Sequence, residues 1–238
     1  MRTVPIRGKG TLPGVRIPAR FNGPPDSANG GYTCGLVAAE LHGGGVEVTL
    51  RAPPPLETEL AVERAGDSVR VSDGETVVAE ARSAAVDVGE LPRPVAPEEA
   101  AAAVDAGRQN WTSGHPFPTC FVCGPARPYE DGLDIYPAEH EAGRFVATWT
   151  PGEAGMVWAA LDCPTAAPLM NEDKDPPIVL GRLAVAIDAE PRLGEPHVLM
   201  SWELGRDGRK REAACALFDA DGNALARSRA LWIELRQG

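Results

Sequence analysis

Asn29-Gly30-Gly31-Tyr32-Thr33-Cys34-Gly35-Leu36-Val37-Ala38-Ala39-Glu40-Leu41-His42, with Gly43-Gly44-Gly45 behind it, is the stretch on which the fold turns. From Gly30 to His42 it is apolar on most sides, so it predicts a short helix that is buried rather than laid on a surface. Asn29 suits the N-cap, because its side-chain oxygen accepts a free first-turn N–H. The glycines that follow suit the left-handed C′ position. What comes next predicts the cover for this helix. Val46–Arg51 and Leu56–Val62 alternate with period two. Ser68–Ser72 and Thr76–Ala85 form a hairpin around Asp73-Gly74. Before Gly30 the chain is rich in Pro and Gly and reads as an irregular lead-in with one extended stretch.

Farther along, Leu91-Pro92-Arg93-Pro94-Val95-Ala96-Pro97 reads as a stiff linker. Pro97-Glu98-Glu99 then opens a helix through Ala106, with proline at N1 and acids in the first turn. The plan repeats after that. Phe145–Thr150 predicts a strand, Met156–Met170 contains a helical stretch, and Asn171–Pro177 is a polar loop. Ile178–Ile187, Val198–Leu204, Glu212–Phe218 and Ala224–Leu235 are further strands. The last two are joined by Asp219–Asn223, a hairpin signal with no closing glutamate for a calcium loop. Asp-Gly recurs at 73–74 and 221–222, each before a strand, and helix starts recur at Gly31 and Gly155. A duplicated α+β unit is therefore expected: residues 1–92, a linker with a short helix over 93–114, and residues 115–238. The second unit carries an insertion that includes the Asn171–Pro177 loop.

A net charge of -11 argues against a nucleic-acid partner, which needs clustered cations. It leaves room for one anionic small molecule held locally. The longest apolar run, Ile178–Ile187, contains Arg182 and is too short to cross a membrane. The start lacks an apolar signal region, and five cysteines, an odd number, read as reduced thiols of a cytoplasmic protein.

The glycine-started buried helix followed by an antiparallel meander resembles the hotdog fold. Phe21-Asn22-Gly23-Pro24-Pro25 before Asn29-Gly30-Gly31 is similar to the lead-in of hotdog thioesterases, whose helix commonly opens His-Gly-Gly. Cys120-Phe121-Val122-Cys123-Gly124 with Gly132-Leu133-Asp134-Ile135-Tyr136, and then Trp158-Ala159-Ala160-Leu161-Asp162-Cys163-Pro164, resemble segments of small acyl-CoA thioesterases. The resemblance implies a double hotdog, each half a curved antiparallel sheet around a central helix, and an acyl-CoA or related thioester as substrate. It also implies a homodimer of double hotdogs as the assembly, and no cofactor.

In the family, the helix acid follows the motif histidine by nine positions. Nine from Asn29 lands on Ala38, whereas the second half offers Asp162 opposite Glu153-Ala154-Gly155. The glycines thus survive in one half and the acid in the other, which implies a single composite site. Gly30 is expected to donate its helix N-terminal N–H to the thioester oxygen, with Gly31 assisting substrate binding. Asn29 orients a water or the carbonyl. Asp162 is general base or nucleophile, two roles the sequence leaves open. Trp158, one turn before Asp162, is expected to line the acyl pocket. Arg206, Arg209 and Arg211 offer phosphate contacts, against a plain solvated turn.

The rival reading is a non-catalytic hotdog module that binds an acyl-thioester or serves in assembly. A dehydratase is disfavoured, because the histidines at 42, 115, 140 and 197 occupy no suitable place. Cys120 and Cys123 read as packed thiols rather than metal ligands, since Cys163 and Cys215 stand isolated in the sequence and a closed zinc site needs four ligands. Cys163 reads as a small core residue. The tryptophans at 149, 158, 202 and 232 read as core or interface anchors.

Overall fold

The computed structural model describes residues 10–41, 44–113, 115–127, 131–170 and 176–235. His42, Gly43 and most of the Asn171–Pro177 loop, which the sequence reading used, lie outside the described residues. The first half holds β1 (Gly10–Arg16), α1 (Gly30–Ala38), β2 (Gly45–Leu50), β3 (Glu59–Ala65), β4 (Ser68–Asp73) and β5 (Thr76–Ser83). After α2 (Pro97–Thr112) come β6 (Ala138–Glu141), β7 (Arg144–Trp149), α3 (Val157–Ala160), β8 (Ile178–Ile187), β9 (His197–Asp207), β10 (Lys210–Phe218) and β11 (Ala224–Glu234).

All eleven strands form one antiparallel sheet in the order β1-β3-β4-β5-β2-β8-β11-β10-β9-β7-β6. Read from its two edges inward, the order is nearly the same twice. The strand after each central helix, β2 or β8, lies innermost, and these two pair antiparallel from Gly45↔Ala186 to Thr49↔Arg182. That seam makes the two halves one sheet. The Asp-Gly repeat occupies equivalent hairpins, β4–β5 and β10–β11, with Gly74 at φ +55° and Gly222 at φ +82°. Both are left-handed positions that favour glycine. This is the double hotdog that the resemblance implies.

The two central helices differ. In α1, Asn29 caps the helix by accepting from Tyr32 N–H at 2.8 Å, and Gly31, Thr33, Cys34, Val37 and Ala38 are buried. The second helix is a single α-turn, Val157–Ala160, continued by a 3-10 segment over Cys163–Leu169. Pro164 and Pro168 lack the N–H that a longer α-helix needs, so the helical stretch expected within Met156–Met170 tightens instead of continuing. α1 crosses α3 closely at Gly35, where a Cβ would lie 2.9 Å from Trp158 Cβ. A single apolar core of strand residues from both halves encloses this crossing. α2 runs to Thr112, beyond the expected Ala106, and packs outside the sheet against β6 and β7. There Ala100 meets Val146, Val198, Met200, Ala216 and Phe218 in a separate apolar layer. None of the described helices is long and apolar enough to cross a membrane.

Candidate active site

The start of α1 meets the end of α3 at buried Asp162, which is 2% exposed. Asp162 Oδ2 accepts the Gly31 N–H at 2.8 Å and the Asn29 Nδ2–H at 3.1 Å. Residues far apart in sequence thus share one carboxylate. Gly31 permits this approach: a Cβ there would lie 2.4 Å from Asp162 Cβ and 2.7 Å from the Trp158 carbonyl oxygen.

Each N–H at an α-helix N-terminus needs an outside partner. In α1, Gly31 uses Asp162 and Tyr32 uses the Asn29 side chain. Among the described residues, the Gly30 N–H is paired with no acceptor. Asp162 Oδ1 is likewise buried without a hydrogen-bond partner. One donor and one acceptor therefore remain unused at the same place. Burial pushes the Asp162 carboxyl up to about 7, against the opposing pull of the Gly31 N–H and the Asn29 amide.

Gly30 and Asp162 are both among the residues that line a pocket of about 610 Å³. Its walls include Pro54, Phe117, Met170, Ile178, Leu180 and Trp232, an apolar lining suited to an acyl chain. Gly30 faces this pocket, and a Cβ there would come within 2.8 Å of Leu180 Cδ2.

The aromatic lead-in holds the site from the other side. Phe21 stacks on Tyr32 at 3.7 Å and meets Phe121 edge-on at 4.9 Å. Arg127, whose side chain is 5% exposed, binds Asn22 Oδ1 and the Thr119 carbonyl at 2.9 Å each. It also reaches the Arg20 carbonyl and pairs with Asp131. The Cys120–Gly124 segment is thereby tied to the segment that leads into α1.

The structure brings Asn29, Gly30, Gly31 and Asp162 together and places the remaining candidates elsewhere. Trp158 is not among the pocket-lining residues; its side chain sits under Gly35 in the helix crossing. Arg206, Arg209 and Arg211, expected to contact phosphates, do not line the pocket either. Arg211 is buried, pairs with Glu234 and donates to the Leu169 carbonyl. Arg206 pairs with Glu203 at 2.7 Å, and Arg209 donates to the Glu234 carbonyl at 3.0 Å. The basic turn therefore fastens strand ends and the 3-10 segment. Arg206 meets a partner three residues away, whereas the partners of Arg209 and Arg211 lie far off in sequence.

The pocket also contains Trp111, which carried no sequence signal, and Cys163, expected only as a small core residue. Trp111, from the end of α2, donates its indole N–H to the Cys123 carbonyl at 3.2 Å and lines the cavity. Cys163, isolated in sequence, has its sulfur 3.9 Å from that of Cys120. Hydrogen bonds hold the Cys120 thiol below its ordinary range, the largest from Cys123. Only Cys120 and Cys123 carried a signal, their Cys-x-x-Cys spacing.

The sequence matches no family model and no curated protein. Solved structures match it over nearly its whole length. A hot dog fold protein of unknown function from Alicyclobacillus acidocaldarius is 13% identical, covers 97% of this chain and 93% of its own, and superposes with a TM-score of 0.58. An acyl-CoA thioesterase II from Mycobacterium marinum is 12% identical over 89% of this chain and 91% of its own, with a TM-score of 0.57. A pyran synthase domain from module nine of the sorangicin pathway is 18% identical over 99% and 97%, with a TM-score of 0.61. Similarity that spans both halves at such low identity identifies the architecture: this chain has the fold of the double-hotdog proteins.

Proposed function

We propose that the protein is an acyl-CoA thioesterase-like hydrolase with one composite site between its two halves. The observation that carries this reading is the pairing of an unused donor, Gly30 N–H, with an unused buried acceptor, Asp162 Oδ1, beside an apolar pocket. The acyl chain lies in the pocket and the thioester oxygen takes the Gly30 N–H. That donor is aimed at the atom on which negative charge develops, and it is fixed in advance by the helix. Asn29 and the Gly31 N–H hold Oδ2, which leaves Oδ1 for a water.

Asp162 takes a proton as the water oxygen bonds to the carbonyl carbon. The tetrahedral intermediate then expels the thiolate, and Asp162 returns the proton to sulfur. In the nucleophilic variant, Oδ1 itself bonds to the carbonyl carbon and the C–S bond breaks to release the thiolate; water then hydrolyses the resulting anhydride and supplies the proton the thiolate takes up. Heavy oxygen found in the Asp162 carboxyl after a single turnover in heavy-oxygen water identifies the anhydride route, since the general-base route labels only the acid product.

The decisive experiment is thiol release from a panel of acyl-CoA thioesters by wild type and Asp162→Asn. The amide keeps an oxygen for the Gly31 N–H but takes no proton. Loss of a general base costs roughly 10²–10⁴-fold in rate. Release unchanged in Asp162→Asn removes that residue from the mechanism. No release from any substrate, with acyl-CoA binding retained, points to a non-catalytic binding module.

A further inference from the structure

Cys120, Cys123 and Cys163 take no part in this chemistry, yet they converge. All three are buried free thiols, and their sulfurs lie within 4.8 Å of one another. Tetrahedral Zn–S bonds of about 2.3 Å place sulfurs about 3.8 Å apart, and Cys120 and Cys163 stand at 3.9 Å.

The backbone is shaped for this convergence. Gly124 N–H closes the Cys-x-x-Cys turn onto the Cys120 carbonyl at 2.9 Å. A Cβ on Gly124 would lie 2.4 Å from Cys120 N, so only glycine lets the turn close this tightly.

Side-chain donors surround the sulfurs. Asn29 Nδ2 lies 3.8 Å from the sulfurs of both Cys120 and Cys163. His115 Nδ1 accepts the Phe117 N–H at 3.0 Å, which puts the proton of the neutral ring on Nε2. That Nε2 lies 3.4 Å from Cys123 Sγ and is therefore a donor to the sulfur. Ligating groups are characteristically held by such an outer layer of hydrogen bonds.

From this cluster we infer that Cys120, Cys123 and Cys163 form a zinc site, with the fourth position open to the pocket that the three cysteines line. Soft thiolates in a tetrahedral arrangement select Zn²⁺ over the hard divalent ions. The fourth position suits a water or a ligand sulfur. This site stands independently of thioester hydrolysis, because metal content reads it without activity.

The test is plasma mass spectrometry of the full chain, purified untagged, reduced and without chelators, before and after loading with Zn²⁺ or Co²⁺. One zinc per chain is expected. Cobalt should give the intense visible bands and thiolate charge-transfer absorption of a tetrahedral site. Cys120→Ser and Cys163→Ser should each lose stoichiometric metal, whereas Cys215→Ser, equally buried in β10, should keep it. His115→Gln should weaken binding roughly 10–100-fold while the cobalt spectrum persists, as fits an outer hydrogen bond. A folded wild-type chain that retains neither zinc nor cobalt after loading overturns the inference. So does metal that stays undiminished in both serine variants.

Discussion

Gly31→Ala tests the geometry that joins the two halves. Two effects of opposite sign meet at this residue. In a helix, alanine is favoured over glycine by about 1 kcal/mol. Against this, the new Cβ would lie 2.4 Å from Asp162 Cβ and 2.7 Å from the Trp158 carbonyl oxygen. Neither is the end of a flexible side chain, so α1 must move away from α3. Overpacking of this kind costs typically about 1–3 kcal/mol. The movement also stretches the 2.8 Å bond from Gly31 N–H to Asp162, and a hydrogen bond to a charged group is worth roughly 1.5–3 kcal/mol. The net loss is about 1.5–5 kcal/mol, which for a chain of this size lowers Tm by roughly 3–20 °C. Urea and thermal unfolding of Gly31→Ala should be compared with Gly152→Ala, whose Cβ would meet nothing within 4 Å. The control is expected to stay within about 0.5 kcal/mol of wild type. A Gly31→Ala protein as stable as that control would refute the packing of α1 on Asp162.

Gly30→Ala should separate stability from activity. Its Cβ would lie 2.8 Å from the movable Leu180 Cδ2 and 3.1 Å from Leu180 Cβ, a milder crowding that the helix preference for alanine of about 1 kcal/mol largely offsets, while thiol release falls more than about tenfold, or ~1.4 kcal/mol, as the methyl crowds the thioester. Arg127→Met strips the Thr119 and Arg20 carbonyls and Asn22 of their partner. A loss of about 2–4 kcal/mol in urea is expected, because each of the three hydrogen bonds at these part-buried and exposed contacts contributes about 0.5–1.5 kcal/mol. Glu57 accepts the Ala19 N–H and pairs with Arg16, which holds its carboxyl below the usual range. Its contribution is present above the ordinary glutamate range and is lost as pH falls through the lowered value. Glu57→Gln should therefore flatten the acid side of the stability–pH curve, and an unchanged curve would show that the contact contributes nothing.

Local signals carried much of the fold. Asn29 as cap, the Asp-Gly hairpins and the alternating strands were legible because caps, turns and pleats involve neighbours in sequence. The expected β3 over Leu56–Val62 slid to Glu59–Ala65, and β6 carried no usable pattern. α3 shrank to one turn for a reason already in the sequence, since Pro164 and Pro168 forbid an ordinary α-helix there.

The candidate site divides along the same line. The sequence alone determined the chemistry on offer: a glycine-started helix in one half, a carboxylate on the other, and a Cys-x-x-Cys turn. The tertiary structure decided which of these groups meet. The β2–β8 seam brings α1 against α3, so that Asp162 serves Gly31 and Asn29 across more than half of the chain length. The same packing draws Cys163 to Cys120 and turns Arg211, the one buried arginine of the basic turn, inward to Leu169 and Glu234. Periodicity and propensity act over a few residues, whereas burial of a shared core fixes contacts between segments far apart in sequence.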